Sequence, residues 1–112
     1  MTQTTCDFAW ANDRLTATLR GEIDHHSAKS VREEIDHAMY LYRPKILALD
    51  LSGISFMDSS GLGLILGRYT KQKALGGKLV LANPTPAIWK LLTLSGADKL
   101  CPIERGTQKG RE

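Results

Sequence analysis

The chain has 112 residues, of which 42% are hydrophobic and 24% are charged, the composition of an ordinary globular protein. This length suits one domain around one core, so we expect residues 1–112 to form a single domain, with 104–112 as a frayed tail. The net charge of +3 comes from basic residues scattered among acidic ones. A dense basic stripe is missing, which argues against direct nucleic-acid binding.

Signals for export, membranes and cysteine chemistry are also lacking in the sequence. The longest apolar run, at 62–66, is far shorter than the roughly 20 residues that span a bilayer, and no N-terminal stretch has the pattern of a signal peptide. We therefore expect a cytoplasmic protein without membrane association. Cys6 and Cys101 have no close-spaced partner, so we expect two reduced thiols and neither a metal nor a redox pair.

The chain opens with a predicted β-hairpin. Segments 6–11 and 14–20 are separated by Asn12-Asp13, a turn-forming pair. Leu15, Ala17 and Leu19 alternate with polar residues, which is the period-two pattern of a half-buried strand. We expect an antiparallel hairpin whose second strand ends at Gly21.

A first helix and a central strand follow. The helix is predicted from apolar residues at helical spacing: Val31, Ile35, Ala38, Met39 and Tyr42. Asp24 and Ser27 are both suitable N-caps, and Pro44 follows the helix end. Residues 46–51 form a nearly continuous apolar run, typical of a central strand of a parallel sheet covered on both faces.

Two further helices flank a short strand at 78–82. The second helix is predicted from Leu62, Ile65, Leu66 and Tyr69 and ends at Gly76-Gly77. The third helix is predicted from Ile88, Leu91 and Leu92. Thr85 caps it, Pro86 occupies its first position and Ser95-Gly96 ends it. With a short edge strand at 100–103, the order predicts an α/β fold, a mixed sheet with helices packed on it.

The most informative stretch is 56–69, which connects the central strand to the second helix. Asp58 is a natural N-cap, which places Ser59 and Ser60 in the first helical turn. We expect Gly61 and Gly63 to leave the surface bare, so that another protein can approach closely. Each residue alone also fits simple capping or packing. Together, however, two glycines costing about 1 kcal/mol each against alanine indicate that something besides stability is favoured there.

Phosphorylation of Ser59 would explain this choice of residues. A phosphate adds about −1.5 to −2 charges. The helix N-terminus favours it by about 0.3 to 1 kcal/mol, while the neighbouring Asp58 opposes it, so we expect the fold to respond little. A partner that covers Ser59 would respond strongly, because an uncompensated charge in an interface costs about 2 to 5 kcal/mol.

Two separated motifs resemble the STAS-domain anti-sigma factor antagonists, and the sporulation branch most closely. They are GEIDHHSA at 21–28 and DSSGLGLILGRY at 58–69. The resemblance extends over essentially the whole chain and implies a STAS-like mixed sheet. Ser60 and the His25-His26 pair favour the sporulation branch over the stress-response branch, where threonine usually occupies the position of Ser60.

The resemblance implies partner switching. It places the phosphoacceptor at Ser59 and the partner as an anti-sigma factor serine kinase bound to ATP or ADP. The unphosphorylated antagonist binds this kinase and releases the sigma factor, phosphorylation ends binding, and a serine phosphatase resets phospho-Ser59. The implied contact residues are Glu22, Asp24, Asp58, Ser59, Ser60, Gly61, Leu62 and Gly63. Arg68 also matches the motif, but its contact with the partner is left open.

Other classes are less well supported by the residues. Nothing indicates an enzyme, since Ser59 lacks a GxSxG elbow and the glycines do not form GxGxxG. His25 and His26 are adjacent and cannot chelate one metal like an i, i+4 pair, so no metal or other cofactor is expected. The alternatives left open are a stress-response antagonist, a ligand-sensing STAS module, and a receiver-like domain phosphorylated on Asp50 or Asp58 with Mg²⁺.

Overall fold

The computed structural model describes residues 4–106. Within this range the elements are β1 (Thr5–Ala11), β2 (Arg14–Ile23), α1 (Ala28–Tyr42), β3 (Ile46–Met57), α2 (Ser59–Ala74), β4 (Lys78–Ala82), α3 (Pro86–Ser95), α4 (Ala97–Leu100) and β5 (Ile103–Glu104). The sheet order is β1-β2-β3-β4-β5. The β1–β2 pair is antiparallel and the other three pairs are parallel, which confirms the predicted mixed α/β sheet.

The hairpin forms as predicted, but its second strand is longer. Asn12 and Asp13 both have left-handed backbones, with φ of 54° and 64°, as a two-residue hairpin turn requires. Gly21 does not end β2. It has a φ of 107°, and the pairing with β3 shifts register on both sides of it before the strand continues to Ile23. The expectation was wrong because glycine also accommodates irregular positions inside a strand.

Strand β3 is the centre of the sheet and is also longer than predicted. Residues 47–51 are all buried, as expected for a strand between two parallel neighbours. The strand then continues through exposed Ser52 and Gly53 to Met57, while Ile54 and Met57 return to the core. The apolar run therefore predicted only the half of β3 that pairs with both β2 and β4.

The three long helices cover one face of the sheet. Because β2, β3, β4 and β5 follow one another across the sheet, right-handed crossovers place α1, α2 and α3 on the same side. The core joins alternate strand residues to these helices, and its members include Leu15, Leu19, Leu47, Leu49, Leu51, Leu79, Leu81, Val31, Ile35, Ile65, Ile88 and Leu92. Thr85 caps α3 by accepting the Ile88 N–H at 3.3 Å, as predicted.

The C-terminal region differs from the prediction in detail. Gly96, with φ of 84°, ends α3 as expected, but a short helix α4 follows, and Leu100 belongs to it and not to an edge strand. Glu104 lies in β5, where it pairs with Ala82 of β4. Its carboxylate accepts two Arg14 N–H groups at 2.8 and 3.2 Å. Residues 107–112 of the predicted tail lie outside the described residues. Among residues 4–106, every helix is too short or too polar to cross a bilayer.

Candidate functional site

The two motifs singled out in the sequence meet where β2 ends and α2 begins. Ile23 pairs with Met57, and the Asp58 N–H donates to the Ile23 carbonyl at 3.2 Å. The longer β2 therefore carries Glu22 and the Asp24 loop to the first turn of α2. We call this surface the switch face and define it as Glu22, Asp24, Phe56, Asp58, Ser59, Leu62 and Gly63.

Asp58 caps α2 as predicted. Its backbone is extended, and its Oδ1 accepts the Ser60 N–H at 2.8 Å, while its carbonyl accepts the Gly61 N–H at 3.0 Å. Ser59 lies in the first helical turn and is exposed, whereas Ser60 is half-buried. Because Asp58 provides the cap, the Ser59 hydroxyl is not needed to begin the helix and is accessible to a partner.

The two glycines of the first turns have different roles. Gly63 is exposed, and a Cβ added there would have no heavy atom within 4 Å, so it leaves the surface bare as expected. Gly61 is buried, and a Cβ there would lie 2.2 Å from Met57 Cγ and 3.3 Å from Ile23 Cγ2. The expectation for Gly61 was therefore wrong. It allows α2 to pack closely on the sheet and offers almost no surface to a partner.

The Asp24 loop is held by its own polar groups. Asp24 Oδ1 accepts the N–H groups of His26 at 2.9 Å and Ser27 at 3.0 Å, and the Ser27 bond is the main reason that the pKa of this carboxyl is lowered. Ser27 occupies the N-cap position of α1, and its Oγ accepts the Asp24 N–H at 3.0 Å. Asp24 thus caps the turn before α1. The hydrogen bonds that the described residues make with this carboxylate all reach Oδ1.

The switch face combines negative charge with apolar surface. Asp58 is adjacent to Ser59 in the chain, and the pairing of β2 with β3 brings Glu22 and the Asp24 loop to the same end of the sheet, so the face carries three carboxylates. The half-buried Leu62 lies on the same helical face as Ser59. Phe56 pairs with Glu22 and is 48% exposed, a role that the sequence did not reveal. The exposure of Phe56 follows from the pairing of β3 with β2, which buries the neighbouring Met57 and leaves Phe56 at the surface.

Arg68, whose contact was left open, lies beneath the surface between α1 and α2. Its side chain is 7% exposed, and its Nε lies 2.9 Å from Asp36 Oδ1. The other oxygen of the same carboxylate, Asp36 Oδ2, lies 3.7 Å from Lys71 Nζ. Burial lowers the pKa of the Arg68 guanidinium, and the Asp36 carboxylate partly opposes this shift. Arg68 is therefore part of the helix packing and not of the switch face.

The residues behind the other hypotheses are occupied in structural contacts. Asp50 is buried, and its carboxylate accepts from Ser52 Oγ at 2.7 Å and from Asn83 Nδ2 at 3.4 Å. The His25 and His26 rings are exposed and pack edge to face, with centroids 5.5 Å apart. Among residues 4–106, no group of three or more His, Cys, Asp or Glu side chains is placed to hold a metal ion.

This arrangement, a mixed sheet with a capped helix that presents an exposed serine at the end of β3, matches a known family. The STAS domain family matches residues 11–110, and the chain belongs to it. Within that family it groups with the anti-sigma factor antagonists. It is 40% identical over 89 residues to the anti-sigma F factor antagonist of Paenibacillus polymyxa, covering 80% of this chain and 76% of that protein.

Two further comparisons agree with this grouping. The chain is 30% identical over 95 residues to the anti-sigma-B factor antagonist of Listeria monocytogenes, covering 82% of this chain and 80% of the relative. The anti-sigma factor antagonist SpoIIAA, at 30% identity, has the same fold. Its unphosphorylated form superimposes with a TM-score of 0.79 over 93% of this chain and 90% of SpoIIAA. The phosphorylated form gives 0.73 over 93% of each chain.

Proposed function

We propose that this protein is a cytoplasmic anti-sigma factor antagonist that acts through the switch face. Its unphosphorylated form binds an ATP- or ADP-bound anti-sigma factor serine kinase and releases a sporulation sigma factor. Phosphorylation of Ser59 ends this binding, and a serine phosphatase restores it. The observation that carries the proposal is an exposed Ser59 whose hydroxyl takes no part in capping α2, on a face that also carries carboxylates and partly exposed apolar side chains.

Ser59 is the better phosphoacceptor of the two adjacent serines. It is exposed, while Ser60 is half-buried and lines a groove towards α1. The Ser60 N–H is also bonded to Asp58, so modification at Ser60 would disturb the cap. A phosphate on Ser59 meets the helix N-terminus, which favours it, and the Asp58 carboxylate, which opposes it. These internal effects are each about 1 kcal/mol or less and have opposite signs.

The charges of the switch face explain why one phosphate is sufficient to prevent binding. Glu22, Asp24 and Asp58 favour a partner with basic side chains, and Phe56 and Leu62 favour an apolar contact at its centre. Adding about two negative charges to an already acidic, buried contact costs about 2 to 5 kcal/mol or more. A change from 1% to 99% of one state requires about 5.5 kcal/mol, so this cost is close to a complete switch.

The sporulation pathway is supported over the stress-response pathway by the level of identity. The chain is 40% identical to an anti-sigma F factor antagonist and 30% identical to an anti-sigma-B factor antagonist over similar lengths. Ser60 also favours the sporulation pathway, because threonine usually occupies this position in the stress-response branch. Comparing binding to an anti-sigma F kinase and an anti-sigma B kinase would test this choice directly, and tighter binding to the second would reverse it.

The central experiment is phosphorylation by the anti-sigma kinase with ATP, followed by mass spectrometry of the intact chain and its peptides. We expect one phosphate on Ser59. Ser59→Ala should take no phosphate and stay bound to the kinase in ATP, Ser59→Asp should bind weakly, and Ser60→Ala should behave like the unchanged protein. If Ser59→Ala accepts phosphate at the normal rate, the site is wrong.

Asp24 requires a more careful test than alanine substitution, because its carboxylate also holds the turn before α1. Asp24→Asn keeps an oxygen that can accept the His26 and Ser27 N–H groups, and asparagine caps about as well as aspartate. We expect Asp24→Asn to preserve thermal stability and to weaken kinase binding through the lost charge. Asp24→Ala should reduce both. Unchanged kinase binding by Asp24→Asn would remove Asp24 from the contact surface.

A further inference from the structure

A groove lies between α1 and α2, next to the switch face, with which it shares only Gly63. Its volume is about 460 Å³, within the range of small-molecule sites. The residues that line it are His25, Ala28, Lys29, Arg32, Ser60, Gly63, Leu64, Gly67 and Arg68. Three of these carry a full positive charge, and none of them is acidic. The charge of this groove is therefore opposite to that of the switch face.

Arg68 lies at the base of the groove with unused hydrogen-bonding capacity. The residue is 5% exposed, and its buried Nη1 has no hydrogen-bond partner among the described residues. Its Nε lies 2.9 Å from Asp36 Oδ1, but this contact is an ion pair without hydrogen-bond geometry. Buried donors normally have a partner, and a charged donor left without one is costly.

The single carboxylate beneath Arg68 does not neutralise the groove. Asp36 is shared between Arg68 and Lys71, whose Nζ lies 3.7 Å from Asp36 Oδ2. Arg32 is close enough to Arg68 to lower the pKa of its guanidinium, so the two cations repel each other. A second anion above Arg68 would relieve this repulsion.

The shape of the groove also leaves room for an anion beside Arg68. Gly63 and Gly67 line it, and a Cβ added at either would have no heavy atom within 4 Å. The absence of side chains at these two positions leaves the space above α2 open. Lys29 and Arg32 are exposed on the α1 side, where they can close over a bound anion.

We propose that the groove between α1 and α2 binds a small phosphate-bearing anion, held by Arg68 at its base and by Arg32 and Lys29 at its rim. Guanidinium groups match the geometry of phosphate oxygens. Free inorganic phosphate and a small organic phosphate monoester share this chemistry. The proposal does not depend on phosphorylation of Ser59, since the site exists in the unmodified chain.

The test is a titration of the ¹⁵N-labelled full chain, without kinase, with inorganic phosphate and separately with ribose 5-phosphate. Sodium chloride at matched ionic strength is the control. We expect saturable shifts of the Gly63 and Gly67 amides and of the Arg68 Nε–H signal, and none from chloride. Tighter binding of ribose 5-phosphate would identify an organic phosphate as the ligand class, and equal binding would identify phosphate itself.

Variants separate a built site from general charge attraction. Arg32 is exposed, so Arg32→Ala should fold normally and weaken binding about ten-fold by removing one charged contact. Lys90→Ala removes an equal charge from α3, outside the groove, and should leave binding unchanged. Arg68→Met should abolish binding. If this variant fails to fold, the comparison of Arg32→Ala with Lys90→Ala tests the proposal instead. The proposal would be overturned if Arg32→Ala and Lys90→Ala weakened binding equally, or if the chemical shifts followed ionic strength alone. Much tighter binding of a phosphoserine peptide would also overturn it.

Discussion

Gly63→Ala offers the sharpest separation of stability from binding. Gly63 lies in the second turn of α2, is exposed, and has no heavy atom within 4 Å of the position that a new Cβ would take. Alanine is preferred to glycine in a helix interior by about 0.8 to 1.0 kcal/mol. For a domain of this length, we expect the melting temperature to rise by about 4 °C.

Two other glycines of the same helix serve as matched controls. Gly67→Ala places its Cβ in equally open space and should stabilise the protein by about the same 0.8 to 1.0 kcal/mol. Gly61→Ala would bring its Cβ to 2.2 Å from Met57 Cγ and 3.0 Å from Met57 Sδ, so the methionine must move. Overpacking of this kind costs about 1 to 3 kcal/mol, which exceeds the gain in helix propensity.

The assay is urea unfolding of the three variants, together with their affinity for the anti-sigma kinase. We expect Gly63→Ala to be more stable but to bind the kinase more weakly, because the methyl group stands between α2 and the partner. Gly67→Ala should be more stable and bind normally. If Gly63→Ala destabilises the protein as Gly61→Ala does, the distinction between open and packed glycines is wrong. If it is more stable and binds normally, Gly63 is not a contact residue.

Three further predictions concern the supports of this surface. Asp58→Ala should lower the free energy of unfolding by about 1 kcal/mol through loss of the cap, and Asp58→Asn should not, as urea unfolding would show. Asp36→Ala leaves the Arg68 guanidinium buried without its carboxylate and should cost about 3 to 5 kcal/mol. Adding Arg68→Met to that variant should recover most of the loss, and an additive result would contradict the pairing. Burial raises the pKa of the Cys6 thiol to about 12 and that of Cys101 to about 11. Both thiols should therefore react slowly with iodoacetamide at pH 8 until urea unfolds the chain, and stability should fall as pH rises from about 9 towards these values.

Features determined by short stretches of sequence were predicted correctly. Asn12-Asp13 adopts the left-handed turn, Asp58 and Thr85 cap their helices, and Gly96 ends α3 with a positive φ. In each case the deciding interactions are between neighbours in the chain, such as a side-chain oxygen and an N–H two or three residues later. The cap before Ser59 was recognisable for the same reason, since Asp58 Oδ1 and the Ser60 N–H are only two residues apart.

Features that depend on contacts between distant segments required the tertiary structure. The extension of β2 past Gly21 and of β3 to Met57 depends on the partner strand, and that pairing brings Glu22, Phe56 and Ser59 to one surface. Gly61 and Gly63 are chemically identical, and only packing against Met57 makes one buried and leaves the other open. The sequence alone determined which residues could cap, turn and carry a phosphate. Only the packed sheet and helices decided which of them share a face, because side-chain burial and charge are set by neighbours far apart in the chain.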